Sequence, residues 1–320
     1  MAFYHCSIKI PKSGKGKIIP GKKHADYINR EGDYKKFDNK QKIASSHAEY
    51  INRQNDFSKE NFIKRHGRCV YKANKLPKWA NGSASNFFEA SDLYGRANGL
   101  SYREFELALQ EELTLEQNIE IVNTILNNYE YFQDKYYAVA IHDKQAALDN
   151  SKQQIHCHIM VSDKMIDNIE KNNERPPEQF FKTYCRVNTN KGGAKVDRYF
   201  SKDSFGKNLT HFRKYYCDVT NTIFRKYGID KTIDYKSLKM QREEALRNGD
   251  YVKAEILNRP AEKYIGTVAS YDINNPKVRN LLQCRRLNSI HEQLLLAAEE
   301  VEKQIKDYTF INQINKSILD

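Results

Sequence analysis

Two histidines that alternate with apolar residues form the most informative chemical pattern in this sequence. His156 and His158 lie in the stretch from Gln154 to Val161, which reads QIHCHIMV. In a β-strand, side chains two positions apart point to the same face, so the two imidazoles project together. Two neighbouring imidazoles suit a divalent metal ion. The alternative is a pair of half-exposed surface histidines, and the pair alone does not separate these interpretations.

A third histidine favours the metal interpretation. His142 ends a second predicted strand that precedes the histidine pair, and it could supply a third ligand. His5, in the first predicted strand, competes for this role, and we favour His142. Three neutral imidazoles leave coordination positions open, which a catalytic metal site requires and a structural site does not.

A candidate nucleophile lies in a short internal repeat. His24 to Arg30 reads HADYINR, and His47 to Arg53 repeats it as HAEYINR. Two copies are too few for a solenoid, so a duplicated short helix is the simplest explanation. Tyr27, in the first copy, could attack a phosphate near the metal, although a metal-activated water is the other route. With 21 tyrosines in the chain, spacing alone does not select Tyr27.

The charge balance indicates an anionic partner. Lys and Arg number 53 and Asp and Glu 41, which gives a net charge of +12 and favours nucleic acid or an anionic membrane surface. No run approaches the ~20 apolar residues of a membrane span. A basic loop rich in Gly and Pro precedes Tyr27, and its lysines are Lys12, Lys15, Lys17, Lys22 and Lys23. The six scattered cysteines form no Cys-x-x-Cys pair, which indicates reduced thiols in a cytoplasm.

The elements that must position these residues follow from hydrophobic periodicity. The patterns predict strands over 3–10, 104–109, 136–142 and 155–162. They predict a helix over 85–96, with Ser85 as its N-cap. A capping box of Thr114 and Gln117 predicts the start of a second helix, and a third helix is predicted over 205–227. An apolar stripe also predicts a helix over 278–308. We therefore predict an α+β core in residues 1–230 and a helical extension in residues 231–320.

The ordered motifs resemble the MobA/MobL family of plasmid mobilisation relaxases, the MobQ branch of the HUH endonucleases. The similarity covers residues 1–227 and departs from the family pattern at Gln110 and Ile155, where many members have Pro. The second tyrosine copy resembles an insertion. The matching blocks are the first strand, the segment around Tyr27, Leu76 to Ala80, Asp92 to Gly99, Tyr102 to Leu109, and Ala140 to Met160.

The resemblance implies an antiparallel sheet of about five strands, with the histidine pair on a central strand and helices packed on the sheet. His142, His156 and His158 would bind Mg²⁺ or Mn²⁺, and Glu106 would orient the site. Tyr27 would attack the scissile phosphate and remain joined to the 5′ phosphate.

The resemblance also implies roles for further residues. Arg30 and the lysines of the basic loop would hold the DNA backbone, and Tyr50, in the second copy, is a possible second catalytic tyrosine. The substrate would be single-stranded DNA at an origin of transfer, in the cytoplasm of a bacterium. Relaxosome accessory proteins and a type IV coupling protein would be the partners.

Other functions remain open at this point. A rolling-circle replication initiator or an HUH transposase uses the same metal pair and tyrosine chemistry, but the blocks around Trp79 and Asn98 favour a relaxase. A non-catalytic DNA-binding protein would explain the charge but not the three histidines. A simple metallohydrolase would leave neither product joined to the protein.

Overall fold

The computed structural model describes residues 4–9, 43–54, 58–60, 67–96, 99–146, 152–262, 272 and 274–319. The chain divides into two compact units. One comprises Met1–Ala146 with Asn150–Tyr235, and the other comprises Lys236–Asp320 with Ala147–Asp149. The domain boundary predicted from the sequence, between residues 230 and 231, lies shortly before this division, and it stays a prediction.

Five antiparallel strands form one sheet in the first unit, in the order β1-β3-β5-β4-β2. The strands are β1 (Cys6–Lys9), β2 (Arg68–Lys75), β3 (Arg103–Ala108), β4 (Lys135–Gln145) and β5 (Gln153–Met165). The histidine pair lies on β5, the central strand. The predicted α+β class, with an antiparallel sheet flanked by helices, is therefore confirmed.

One face of the sheet is an apolar core. Cys157, Ile159 and Val161 of β5 are fully buried on this face. Two amphipathic helices cover it, α3 (Leu115–Asn128) and α7 (Phe205–Lys226). The predicted capping box is present at the start of α3, where Thr114 Oγ1 accepts from the Gln117 backbone and the Gln117 side chain accepts from Thr114 N–H. The apolar face therefore follows the alternation in the sequence.

The opposite face carries the histidines and is covered by α1 (Ile43–Asn52) and α2 (Ala84–Tyr94). The N-terminus of α1 is capped from α2, because Asp92 Oδ2 accepts hydrogen bonds from the backbone N–H groups of Ala44 and Ser45 at 2.9 and 3.2 Å. The cap of α2 is Ser83, which accepts from Asn86 N–H, and not Ser85 as predicted. Ser85 lies within the helix instead, and its hydroxyl donates to Glu49 at 3.0 Å.

Shorter helices complete the first unit: α4 (Glu130–Gln133), α5 (Asn168–Asn172) and α6 (Pro177–Phe180). The second unit contains α8 (Leu238–Arg247), α9 (Tyr251–Ile256) and the long α10 (Pro276–Leu319). A C-terminal helix was predicted, and α10 confirms it while extending beyond residues 278–308. Among the described residues, no helix is both long and apolar enough to cross a membrane.

Candidate metal centre

Three histidines meet where β4 and β5 pair. His142 lies directly opposite His156 in the β4–β5 register, and His158 lies two residues further along the same face. The ring centroids are 5.2 Å apart for His142 and His156, 4.8 Å for His142 and His158, and 4.9 Å for His156 and His158. One ligand nitrogen from each ring lies within 4.8 Å of the other two. The structure thus brings together the three histidines named from the sequence as candidate ligands, and His5 is not in this group.

Hydrogen bonds fix the tautomers of two of these rings. His156 Nδ1 lies 3.1 Å from the Gln154 carbonyl oxygen, and His158 Nδ1 lies 2.6 Å from Glu104 Oε1. Because a carbonyl and a carboxylate only accept, both Nδ1 atoms carry the proton and both Nε2 atoms keep a lone pair. His158 Nε2 is buried and has no hydrogen-bond partner among the described residues. A metal ion would satisfy this lone pair, so the donor set fits a divalent cation.

His142 is held differently from the other two histidines. Its Nδ1 lies 3.2 Å from the Arg53 guanidinium, and its Nε2 lies 2.6 Å from the Ile51 carbonyl oxygen. A guanidinium only donates, so Nδ1 accepts and Nε2 donates. Both ring nitrogens therefore contact α1 or the residue after it, and His142 must give up one of these contacts to bind a metal.

Burial favours the neutral form of all three imidazoles, because it lowers the pKa of each ring. For His158, the hydrogen bond and the charge of Glu104 oppose burial without reversing the direction. The pKa of His156 falls to about 3. Neutral imidazoles are the form that coordinates a metal, so the environment prepares these side chains as ligands.

A buried carboxylate links the histidines to α1. Glu104 Oε1 accepts from His158 Nδ1 at 2.6 Å and contacts His47 Nε2 at 3.1 Å, and its side chain is 2% exposed. Burial alone would raise the pKa of Glu104. The hydrogen bonds from His47 and His158 and the electrostatic attraction of both rings outweigh burial and hold the pKa of Glu104 well below its ordinary value. An ionised carboxylate behind a ligating histidine orients the ring and increases its basicity.

Glu106, the acidic residue named from the sequence, lies on the same face but has another partner. It pairs with His158 in the β3–β5 register and forms an ion pair with Lys9. Ligand atoms of Glu104, Glu106 and His158 lie within 4.8 Å of one another. The direct hydrogen bond to His158 nevertheless comes from Glu104, and the orienting role of Glu106 stays a prediction.

Tyr50, in the second copy of the repeat, lies beside the histidines. Its ring centroid is 6.4 Å from that of His142 and 6.5 Å from that of His158, both in edge-on arrangements. The Arg53 guanidinium carbon lies 4.7 Å from the Tyr50 ring centroid, as in a cation–π contact. The second copy thus brings a tyrosine and an arginine to the histidine cluster.

The first copy and the basic loop lie outside the described residues. This applies to Tyr27 and Arg30 and to the loop lysines Lys12, Lys15, Lys17, Lys22 and Lys23. Their roles stay predictions.

Sequence reasoning missed three residues of this site: His47, Arg53 and Glu104. The repeat contained His47 and Arg53, but it did not indicate that this copy packs on the histidines. Glu104 and Glu106 alternate on one face of β3, so periodicity alone could not choose between them. Only the register of β3 against β5 and the position of α1 separate the two carboxylates.

The sheet and its three histidines define an α+β protein with a candidate metal centre on the central strands. A sequence model of the MobA/MobL family matches residues 41–248. The chain belongs to the MobA/MobL family.

Individual relatives agree with this assignment. The chain is 32% identical over 245 residues to a "43 kDa relaxation protein" of Salmonella typhimurium, which covers 75% of this chain and 55% of that protein. It is 29% identical over 246 residues to "Mobilization protein A" of Escherichia coli, which covers 77% of this chain and 29% of that protein. The chain thus spans about half or less of the length of these relatives.

A solved structure described as "Molecular Basis of Vancomycin Resistance Transfer in Staphylococcus aureus" is also similar. It has 17% sequence identity and a TM-score of 0.44, and the match covers 74% of this chain and 100% of that one.

Proposed function

We propose that this chain is a relaxase that nicks one strand of plasmid DNA at an origin of transfer by tyrosine transesterification. The observation that supports it best is His158 Nε2, which is buried and has no hydrogen-bond partner among the described residues, beside His156, whose Nδ1 is paired with the Gln154 carbonyl. His142, His156 and His158 would hold Mg²⁺ or Mn²⁺. The ion would supply positive charge at the scissile phosphate.

The chemistry expected of the protein is a balanced exchange of phosphoester bonds. The tyrosine hydroxyl gives its proton to solvent, and its oxygen forms a bond to phosphorus. The bond between phosphorus and the 3′ oxygen breaks, and that oxygen takes a proton and leaves as a 3′-hydroxyl. The 5′ phosphate stays on the tyrosine, so reversal can rejoin ends after transfer. A regular duplex would not present the phosphate in line, so the strand must be unpaired.

We keep Tyr27 as the proposed nucleophile of the first nick. The family resemblance implies a catalytic tyrosine one loop after the first strand, and the copy that contains Tyr27 continues in sequence into Arg30-Glu31-Gly32. Tyr50 is the competing candidate because its ring lies against His142 and His158. A role for Tyr50 in a later strand transfer would use both copies of the repeat.

Two Tyr→Phe variants test this assignment. Replacing tyrosine with phenylalanine removes the hydroxyl and keeps most of the ring's packing, so lost activity reports on chemistry. With single-stranded origin DNA and Mn²⁺, we expect Tyr27→Phe to bind DNA without forming a covalent adduct, and Tyr50→Phe to form one. Peptide mass spectrometry of the trapped adduct identifies the tyrosine. An adduct on Tyr50 would overturn the assignment to Tyr27, and cleavage with both products free of protein would indicate a metallohydrolase.

The basic loop is the proposed DNA-holding segment. For single strands, log affinity falls with log salt by about 0.7 per phosphate contacted. Replacing Lys12, Lys15, Lys17, Lys22 and Lys23 with Ala should make this slope shallower. Replacing Lys214 and Lys226, which pair with Asp218 and Glu120, should leave it unchanged. An unchanged slope in the loop variant would locate the DNA path elsewhere.

Two further parts of the proposal concern the cellular setting. We propose that the protein acts in the bacterial cytoplasm with relaxosome accessory proteins and a type IV coupling protein. Co-purification with a mobilisable plasmid in crosslinked cells tests this setting.

A further inference from the structure

The long helix α10 of the second unit leaves an apolar stripe uncovered. Val278, near its start, is buried, whereas the side chains of residues 296–309 are exposed. Between residues 287 and 308 the larger apolar side chains on one face are 44–68% exposed. They are Leu287, Ile290, Leu294, Val301, Ile305 and Tyr308. At 3.6 residues per turn these six fall within an arc of about 60°. A stripe of this kind marks an interaction site.

The spacing of the stripe is the same in both directions along the helix. Counting outward from the bond between Ala297 and Ala298, apolar residues of the stripe stand at the fourth, eighth and eleventh positions towards either end. Towards the N-terminal end, the fifteenth position continues the same face and is the polar residue Gln283. Two small residues stand at the centre, where helices can approach closely. A surface with this symmetry is complementary to itself under a two-fold rotation.

We propose that α10 is a self-association surface, on which a second copy of this chain packs antiparallel about a two-fold axis at Ala297 and Ala298. Leu294 then lies in one layer with Val301 of the second copy. Ile290 meets Ile305 of that copy in the next layer, and Leu287 meets Tyr308 in the outermost. All six stripe residues are then covered by the second copy.

The charges that flank the stripe select the antiparallel arrangement. In it, Glu302 lies within about 3 Å along the axis of His291 of the second copy, at a rise of 1.5 Å per residue. Arg286 has the same offset from Asp307 of the second copy. A parallel pair would instead set Glu302 beside Glu300 of the second copy, which places like charges along the seam.

Matched glutamate substitutions on the full chain test the surface. Leu294 and Leu296 are 65% and 50% exposed and stand two residues apart, but they point to opposite faces of the helix. In sedimentation equilibrium we expect the wild type and Leu296→Glu to reach twice the mass of a single chain. Leu294→Glu and Val301→Glu should raise the dissociation constant at least tenfold, with helicity unchanged by circular dichroism. A monomeric wild type, or equal effects at Leu294 and Leu296, would overturn the proposal.

Disulfide crosslinking tests the direction. In a Cys185→Ser, Cys284→Ser background, which removes the two exposed cysteines, Leu287→Cys and Tyr308→Cys chains are prepared separately and then mixed. The antiparallel arrangement predicts crosslinking in the mixture and none in either chain alone. Crosslinking of Leu287→Cys with itself would contradict it. Neither readout uses DNA or metal, so the result is independent of the nicking proposal.

Discussion

The two faces of the central sheet are built from the same strands but differ where the histidines lie. On β5, Cys157, Ile159 and Val161 point into an apolar core, while His156 and His158 point into a polar cluster with Glu104. Burying an apolar side chain stabilises the fold, whereas burying a polar one costs free energy unless it has partners. The histidine face also has its own apolar cluster, in which Phe87, Phe88 and Met160 are fully buried, so the buried ionisable groups occupy only part of that face.

The largest expected effect is a loss of DNA nicking and of Mn²⁺ binding when the histidine face of the sheet is changed. We expect the His156→Ala, His158→Ala double variant to lose DNA nicking and to bind Mn²⁺ far more weakly, because two ligands are gone. Changes behind a ligand typically reduce affinity about 10–100-fold, so loss of the ligands should exceed that. Calorimetry measures the Mn²⁺ affinity.

The exposed His211→Ala variant on α7 is the control, and it should bind Mn²⁺ as the wild type does. Unchanged Mn²⁺ affinity in the double variant would show that the cluster is not the metal site.

A substitution on the apolar face should affect stability and spare the site. Phe212 of α7 is fully buried, and its ring centroid lies 4.8 Å from that of Phe105. We expect Phe212→Ala to lower the free energy of unfolding by about 3–5 kcal/mol, because it leaves a cavity in the core. Denaturant unfolding measures this loss, and the Mn²⁺ affinity of the folded protein should not change. A large fall in that affinity would mean that the two faces are not independent.

Glu104 tests how the polar face holds its ligands. Glu104→Gln keeps the shape but removes the charge that faces His158 and His47. We expect Mn²⁺ affinity to fall about 10–100-fold. Glu106→Gln is the matched comparison, one strand repeat away on the same face, and should have the smaller effect. The reverse order would support the sequence-based choice of Glu106.

The sequence predicted the three histidines because their positions depend on short-range rules. Alternation along β5 and the adjacent strand β4 suffice to place them on one face. The capping box at Thr114 follows from a four-residue motif for the same reason. The position of Glu104 against both His47 and His158 depends on contacts between segments far apart in the chain, which short-range patterns do not predict. The cap at Ser83 rather than Ser85 was missed because several polar residues near the start of α2 could serve.

The smallest expected effect is the loss of stability when a helix cap is removed, with one cap tested on each face of the sheet. Asp92→Ala removes the acceptor for the first turn of α1, and Thr114→Ala removes the cap of α3. Each should cost about 1 kcal/mol. Hydrogen exchange should show faster opening of α1 in the first variant and of α3 in the second. Only Asp92→Ala should also weaken Mn²⁺ binding, because α1 carries His47; equal effects on binding would contradict the comparison.

The pairing of β4 with β5 also bears on how the site assembles during folding. His142 and His156 are 14 residues apart along the chain and meet in a hairpin, whereas Glu104 and His158 are 54 apart. Loop-closure entropy makes the longer closure more costly by about 1 kcal/mol. Contacts of low sequence separation form at the lower entropic cost. The candidate metal ligands His142 and His156 therefore meet through local chain closure, and the orientation of His158 depends on contacts between distant segments.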